Sequence, residues 1–313
     1  MRDLESMYAA ARRTGLVRRV LELARDEDLG ATGDVTSAAT IDGTRRGRYA
    51  VVPRVPAVIA GLAVIPDLIE VFAPDVVATV HTRDGESVAA RVAVATLDGP
   101  VRQILGLERT LLNLISRLSG IATRTREFID AMGARPDGKP ALCDTRKTTP
   151  GLRVLEKYAV VCGGGTSHRM GLFDAVLIKD NHLAGVSSRD LPGAVARAIA
   201  KVQELAKTPR TGAGGERPDF IEVEVDDLEQ FREILSAKPE GLGMVLLDNM
   251  GPDTLRRAVL MRNESWPGLI LEASGGVSLG TIRAIADTGI DRISVGSLTH
   301  SAISVDFGMD ANA

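Results

Sequence analysis

From Ala141 onward the chain alternates short aliphatic segments with amphipathic ones at nearly constant spacing, and no other feature restricts its fold as much. Strands are expected at Ala141–Asp144, Ala175–Lys179, Phe220–Val225, Met244–Leu247, Leu269–Glu272 and Ile293–Gly296. Helices are expected between them at Leu152–Val161, Leu191–Lys207, Leu228–Ser236, Thr254–Asn263 and Thr281–Asp287. Such a series makes a parallel sheet with right-handed crossovers, either open and doubly wound or closed into a barrel. In both, chemistry sits at the carboxyl ends of the strands. Polar residues end every strand rather than only those beside one crossover, which favours a barrel, smaller than the usual eight strands. Thr208–Pro218, rich in Gly, Pro and charge, reads as a surface loop.

The first third reads differently. Tyr49–Val52, Val76–His81 and Val92–Leu97 are strand-like, with turn signals at Arg83-Asp84-Gly85 and Asp98-Gly99-Pro100. They suggest a small antiparallel sheet preceded by a helix around Leu16–Asp26. Leu107, Leu111, Leu114, Leu118, Ile121 and Phe128 then recur at helical spacing. Arg109, Asn113 and Ser116 form a polar stripe on another face of this long helix, which is expected to bridge two domains, 1–122 and 123–313. The extreme C-terminus is allowed to pack back on the first.

Composition narrows the class. Aromatic residues make up only 3% and charged residues 25%, which suits a folded α/β chain built from small aliphatics. A net charge of −3 argues against general affinity for nucleic acid or anionic membrane. Cys143 and Cys162 have neither zinc spacing nor a disulfide framework. The N-terminal residues lack the apolar core of a signal peptide, and no apolar run approaches transmembrane length, so a soluble, cytoplasmic protein is expected.

The strand ends carry the chemistry. Glu222, Glu224 and Asp226 alternate along one strand that a parallel sheet would cover on both faces, so these acids need partners or a metal. A structural salt-bridge network is the alternative. Glu224 and Asp248, on adjacent strands, form the natural Mg²⁺ pair, because that ion takes one or two carboxylates plus water and substrate oxygens. Arg146, Lys147, His168, Arg169 and Lys179 come from two strand ends and the loop between them. Any one of them alone reads as a solvated loop edge. Together they would repel one another unless a multiply charged anion sat among them. The Gly163–Gly165 run permits close backbone approach. Ser274-Gly275-Gly276 and Gly296-Ser297 open helices or turns after the last two strands, where backbone N–H groups bind phosphate. A sugar phosphate with a second anion fits this set.

Several motifs in order resemble the quinolinate phosphoribosyltransferase family. They are Asp144–Arg153, Glu156–Val160, Gly163–Arg169, Gly171-Leu172, Ile178–His182, Glu222–Asp226, Leu247–Asn249 and Glu272–Gly276. Upstream, Gly30–Thr36, Glu108-Arg109-Thr110, Asn113 and Leu118–Thr123 also match. The resemblance spans nearly the whole chain. It implies an N-terminal α+β sandwich-like domain followed by a partial, about six-stranded α/β barrel, the type II phosphoribosyltransferase fold. It implies a homodimer with shared active sites, higher oligomers being left open. The implied reaction joins quinolinate to phosphoribosyl pyrophosphate with Mg²⁺, giving nicotinate mononucleotide, pyrophosphate and CO₂ in NAD biosynthesis.

By resemblance, Arg146, His168, Arg169 and Lys179 grip the quinolinate carboxylates, and Arg109 arrives from the other subunit. Lys147, Glu224, Asp248, Ser274, Gly275 and Gly296 match positions that hold the phosphoribosyl substrate or its metal, with Lys179, Glu224 and Asp248 as the catalytic set. Two segments depart from the family pattern. Val52–Val58 lacks an acidic residue and a glycine, and Ser167 replaces an amide or imidazole before His168. The rival readings are a lysine Schiff-base lyase using Lys179 on a phosphate-binding barrel, a molybdate-operon pyrophosphorylase-like paralogue, and a regulatory module that binds a phosphorylated metabolite.

Overall fold

Six segments rich in Val, Leu and Ile pair as one all-parallel sheet, and their burial on both faces explains why they read as continuous apolar runs. The structure, a computed structural model, describes residues 4–133, 140–206 and 218–312. The expected loop at Thr208–Pro218 therefore lies, except for Pro218, outside the described residues. Among the described residues no helix is long and apolar enough to cross a membrane.

The chain begins with α1 (Leu4–Arg13), α2 (Leu16–Leu29) and α3 (Val35–Thr40), followed by β1 (Arg46–Pro53), β2 (Ala57–Val58) and α4 (Ile65–Phe72). Then come β3 (Val77–Val80), β4 (Ser87–Val88), β5 (Ala95–Pro100) and the long helix α5 (Val101–Met132). The alternating part consists of β6 (Ala141–Cys143), α6 (Arg153–Cys162), β7 (Val176–Ile178), α7 (Leu191–Leu205), β8 (Ile221–Val225) and α8 (Leu228–Ala237). It continues through β9 (Met244–Asp248), α9 (Pro252–Ser265), β10 (Ile270–Ser274), α10 (Ile282–Ala286), β11 (Arg292–Ser294) and α11 (Ser297–His300), and β12 (Phe307–Asn312) ends it.

Two compact units result: residues 1–127, 147–167 and 296–313 form one, and residues 128–146 and 168–295 form the other. The first holds an antiparallel sheet in the order β12-β1-β5-β3. Its fourth strand is the C-terminal one, with Val51 opposite Met309. The expected turn at Asp98-Gly99-Pro100 is instead part of β5, where Gly99 lies opposite Gly47. Close packing, and not a reversal of direction, accounts for this glycine: a Cβ there would meet Val76 Cα at 2.9 Å.

The Gly163–Gly165 run is also used for packing. A Cβ on Gly163 would lie 2.5 Å from the Ala122 carbonyl oxygen on α5, and Arg126 Nε donates to the Gly163 carbonyl at 3.0 Å. In the same unit the fully buried Glu156 accepts from Arg117 (3.0 Å), Thr149 N (3.1 Å) and Thr149 Oγ1 (2.8 Å). A buried carboxylate needs such partners, and here they tie the loop after Lys147 to α6.

In the second unit the strand order is β6-β11-β10-β9-β8-β7. From β7 to β11 successive strands are neighbours, and β11 pairs with β6, as in a singly wound barrel rather than a doubly wound sheet. β6 and β7 do not pair, so the barrel is partial and six-stranded.

Candidate active site

Every residue of β8 is buried, and period-two alternation sends Glu222 and Glu224 to the same face. Glu222 is wholly buried and Glu224 nearly so. They meet different partners. Glu224 forms an ion pair with the ammonium of Lys179, which follows the neighbouring strand β7. Asp248 ends β9, two positions past Leu246, the register partner of Glu224. Burial raises the Asp248 carboxyl above its usual pKa, Lys179 pulls it down, and Asp226 and Asp180 push it up. A cavity of about 150 Å³ opens beside this cluster, lined by Asp180, Ser187, Glu224, Asp226 and Gln230 among others.

This donor set fits Mg²⁺: hard carboxylate oxygens on adjacent strands, crowded enough that a divalent cation would relieve their repulsion. A different group, His168, Glu222 and Glu272, has ligating atoms within 4.8 Å of one another. Arg292 Nε sits 2.9 Å from Glu272 there, so a protein cation already supplies counter-charge to this group.

Past β9 and β10 the backbone is strained in a way that requires glycine. Asn249 has φ +53° and Gly275 φ +89°, and a Cβ on Gly275 would strike Asn249 Oδ1 at 2.1 Å. Asn249 N–H donates to the Ser274 carbonyl at 2.8 Å. The Ser274-Gly275-Gly276 turn is thereby fixed against the end of β9.

Arg146 follows β6, and His168 and Arg169 precede β7. Arg169 is only 8% exposed, and its guanidinium donates to the Ala175 carbonyl at 3.3 Å. Burial and the nearby Arg146 both lower its pKa, the mark of two cations crowded together. His168 turns both ring nitrogens toward protein groups. Nδ1 accepts from Arg169 N–H at 2.7 Å, and Nε2 lies 3.3 Å from Glu222 and 3.2 Å from Glu272. Burial disfavours the imidazolium, but the two carboxylates outweigh it and pull the ring up to about 9. The Arg169 N–H acts the other way, because a ring protonated on both nitrogens would set two donors face to face. In the neutral ring the hydrogen-bond geometry makes Nδ1 the acceptor and Nε2 the proton-bearing atom.

Lys147 and Gly296 belong to the first unit. There Thr299 Oγ1 donates to the Lys147 carbonyl at 2.8 Å, and a Cβ on Gly296 would crowd the Lys147 side chain at 2.9 Å. Arg109 is exposed on α5. The second unit thus brings together Arg146, His168 and Arg169, and separately Lys179, Glu224 and Asp248. Nothing in the sequence marked Glu272 as a neighbour of His168, or Arg292 as a neighbour of Glu272. Their only signal was a charge inside an otherwise apolar strand or at its start.

The chain matches the family model of the quinolinate phosphoribosyltransferase N-terminal domain over residues 34–119 and that of the C-terminal domain over residues 121–310. It is 41% identical over 305 residues to the nicotinate-nucleotide pyrophosphorylase (carboxylating) of Mycobacterium leprae, covering 97% of this chain and 98% of that one. A probable enzyme of the same name from Bacillus subtilis is 40% identical over 284 residues, covering 91% of this chain and 89% of the relative. The solved nicotinate-nucleotide pyrophosphorylase of Francisella tularensis superposes with TM-score 0.80 at 33% identity, covering 95% of this chain and 96% of that one. This chain belongs to the quinolinate phosphoribosyltransferase family.

Proposed function

We propose that the chain transfers the phosphoribosyl group of phosphoribosyl pyrophosphate to the nitrogen of quinolinate, giving nicotinate mononucleotide, pyrophosphate and CO₂ for NAD biosynthesis. The observation that carries this reading is the match to both quinolinate phosphoribosyltransferase domains, with the buried Arg169 and Arg146 both in the second unit. Two guanidiniums near each other in a partly desolvated place favour a ligand with more than one negative charge, even with the Glu222 and Asp174 carboxylates near Arg169.

In this reading Arg146, Arg169 and Lys179 hold the quinolinate carboxylates, and Arg109 of a second subunit completes the grip. Lys147, Ser274, Gly275 and Gly296 hold the phosphoribosyl moiety. Glu224 and Asp248 hold Mg²⁺, which when bound neutralises charge on the pyrophosphate. The pyridine nitrogen attacks C1 of the ribose as the bond to pyrophosphate breaks. The carboxylates near C1 offset the positive charge that develops there. The bond from C2 to its carboxylate then breaks, its electron pair is stabilised by the pyridinium, CO₂ leaves and a proton takes its place. No redox step is needed. The protein works as a homodimer in the cytoplasm.

A Schiff-base role for Lys179 is less favoured, because an ammonium held against Glu224 is not an available nucleophile. Incubation with quinolinate, phosphoribosyl pyrophosphate and Mg²⁺ should yield nicotinate mononucleotide and CO₂ in equal amounts. No product from quinolinate, or borohydride trapping of a carbonyl substrate on Lys179, contradicts the proposal.

A further inference from the structure

Beneath the basic cluster lies a charged core that the reaction as written does not use. Glu222 on β8 and Glu272 on β10 flank β9 and are both wholly buried. Among the described residues no hydrogen bond of standard geometry reaches the carboxylate oxygens of either. Burying two carboxylates this close is costly unless they have a task and a counter-charge. Arg292 Nε, 2.9 Å from Glu272, supplies part of the counter-charge. His168 Nε2 lies between the acids, at 3.3 and 3.2 Å.

The ring is fixed from its other sides as well. Phe220 meets it edge-on, with centroids 5.2 Å apart and planes at 84°, and Arg292 lies over the same phenyl ring at 5.6 Å. Nδ1 accepts the N–H of Arg169, and the main-chain N–H of His168 donates to Asp144 Oδ1 at 2.9 Å. Asp144 is two residues before Arg146. The acid pair therefore adjoins, through one imidazole, the backbone from which both guanidiniums leave.

We propose that Glu222 and Glu272 are positioning residues for the anion pocket, orienting His168 so that its ring fixes the main chain carrying Arg169 and, through Asp144, the strand end carrying Arg146. The Glu222 carboxylate also offsets the Arg169 guanidinium when no ligand is bound. The proposal rests on the quinolinate reading of that pocket. It assigns His168 a place behind the substrate carboxylates, with both ring nitrogens committed to the protein.

The test uses the full-length enzyme with Glu222→Gln and Glu272→Gln, which keep shape and remove charge. The KM for quinolinate should rise about tenfold or more, the scale of a lost charge-assisted contact. The KM for phosphoribosyl pyrophosphate should stay within about twofold, and kcat should fall less than the quinolinate KM rises. Folded variants with unchanged quinolinate KM overturn the proposal, as does an equal loss toward both substrates. The wild type gives a second measurement that needs neither variant to fold. Ring ¹⁵N spectra recorded above the raised ring pKa of about 9, with His81, His182 and His300 removed one at a time for assignment, should show His168 with a bare Nδ1 and a proton on Nε2. A proton on Nδ1 overturns the arrangement. That spectrum does not depend on turnover, so failure of the quinolinate reading would appear separately, as absent product.

Discussion

Lys179 sets its ammonium against the carboxylate of Glu224, joining the end of β7 to β8, with Asp248 at the end of the next strand. In the proposed reaction Glu224 and Asp248, with one cation beside them, would face the metal and a developing positive charge. Glu224→Gln and Asp248→Asn remove that charge with almost no change of shape. Each should lower kcat by about 10²–10³, the usual loss for one transition-state electrostatic contact. Thermal unfolding should stay near that of the wild type. A well-folded variant with turnover within a few-fold of wild type would remove these residues from the chemistry.

Arg109 is exposed on α5, on a polar stripe of a helix whose other face is core. If it serves the site of a partner subunit, Arg109→Ala and Lys179→Ala should each be inactive alone. Mixed under conditions of subunit exchange, they should recover up to about a quarter of wild-type activity, from one competent site in each heterodimer of a symmetric pair. No recovery after exchange has been verified would place Arg109 outside the site.

The alternation from Ala141 onward was legible because a buried parallel strand shows as an apolar run whatever its neighbours are. The fourth strand of the N-terminal sheet was not legible as a strand. Phe307–Asn312 is ordinary in local propensity, and pairs with β1 across most of the chain. Gly99 misled because glycine marks both turns and close approaches, and only the packed Val76 distinguishes them. At the site, Glu222, Glu224 and Asp226 were visible as a line of acids, but not their division of labour. That division depends on which residues lie across the sheet, His168 and Glu272 for one and Lys179 for another. One sequence does not contain that register.

Asp34 caps α3, its carboxylate accepting from Ser37 N–H at 3.0 Å and from the Ser37 hydroxyl. These hydrogen bonds hold its pKa below the usual carboxylate value. A depressed folded pKa stabilises above the unfolded value, and the gain is lost as pH falls through the folded one. Asp34→Ala should cost about 0.5–2 kcal/mol at neutral pH, with the difference from wild type shrinking in acid. Chemical denaturation at neutral and acidic pH would measure it. A constant difference at both would contradict the cap.

Both thiols are buried, and burial raises both pKa values, that of Cys143 to about 12. Thiolates react and thiols do not. Iodoacetamide at mildly alkaline pH should label neither cysteine in the folded protein and both in guanidinium. Rapid labelling of the native chain, read by mass spectrometry, would show that the second unit near Cys143 or the first near Cys162 opens more readily than this packing allows.

A pocket built for two carboxylates should discriminate against nicotinate, which offers only one. With nicotinate, Arg146 and Arg169 would meet one carboxylate where quinolinate offers two. A site built for a polar group can reject the analogue lacking it by about 10⁴–10⁵. The measurement is kcat/KM for quinolinate and for nicotinate with the same phosphoribosyl donor and Mg²⁺, following CO₂ from carboxyl-labelled quinolinate. Strong preference for quinolinate with one CO₂ per nucleotide, collapsing in Arg146→Ala and Arg169→Ala, is the expected result. Equal efficiency with nicotinate, or nucleotide formed from quinolinate without CO₂, would contradict it.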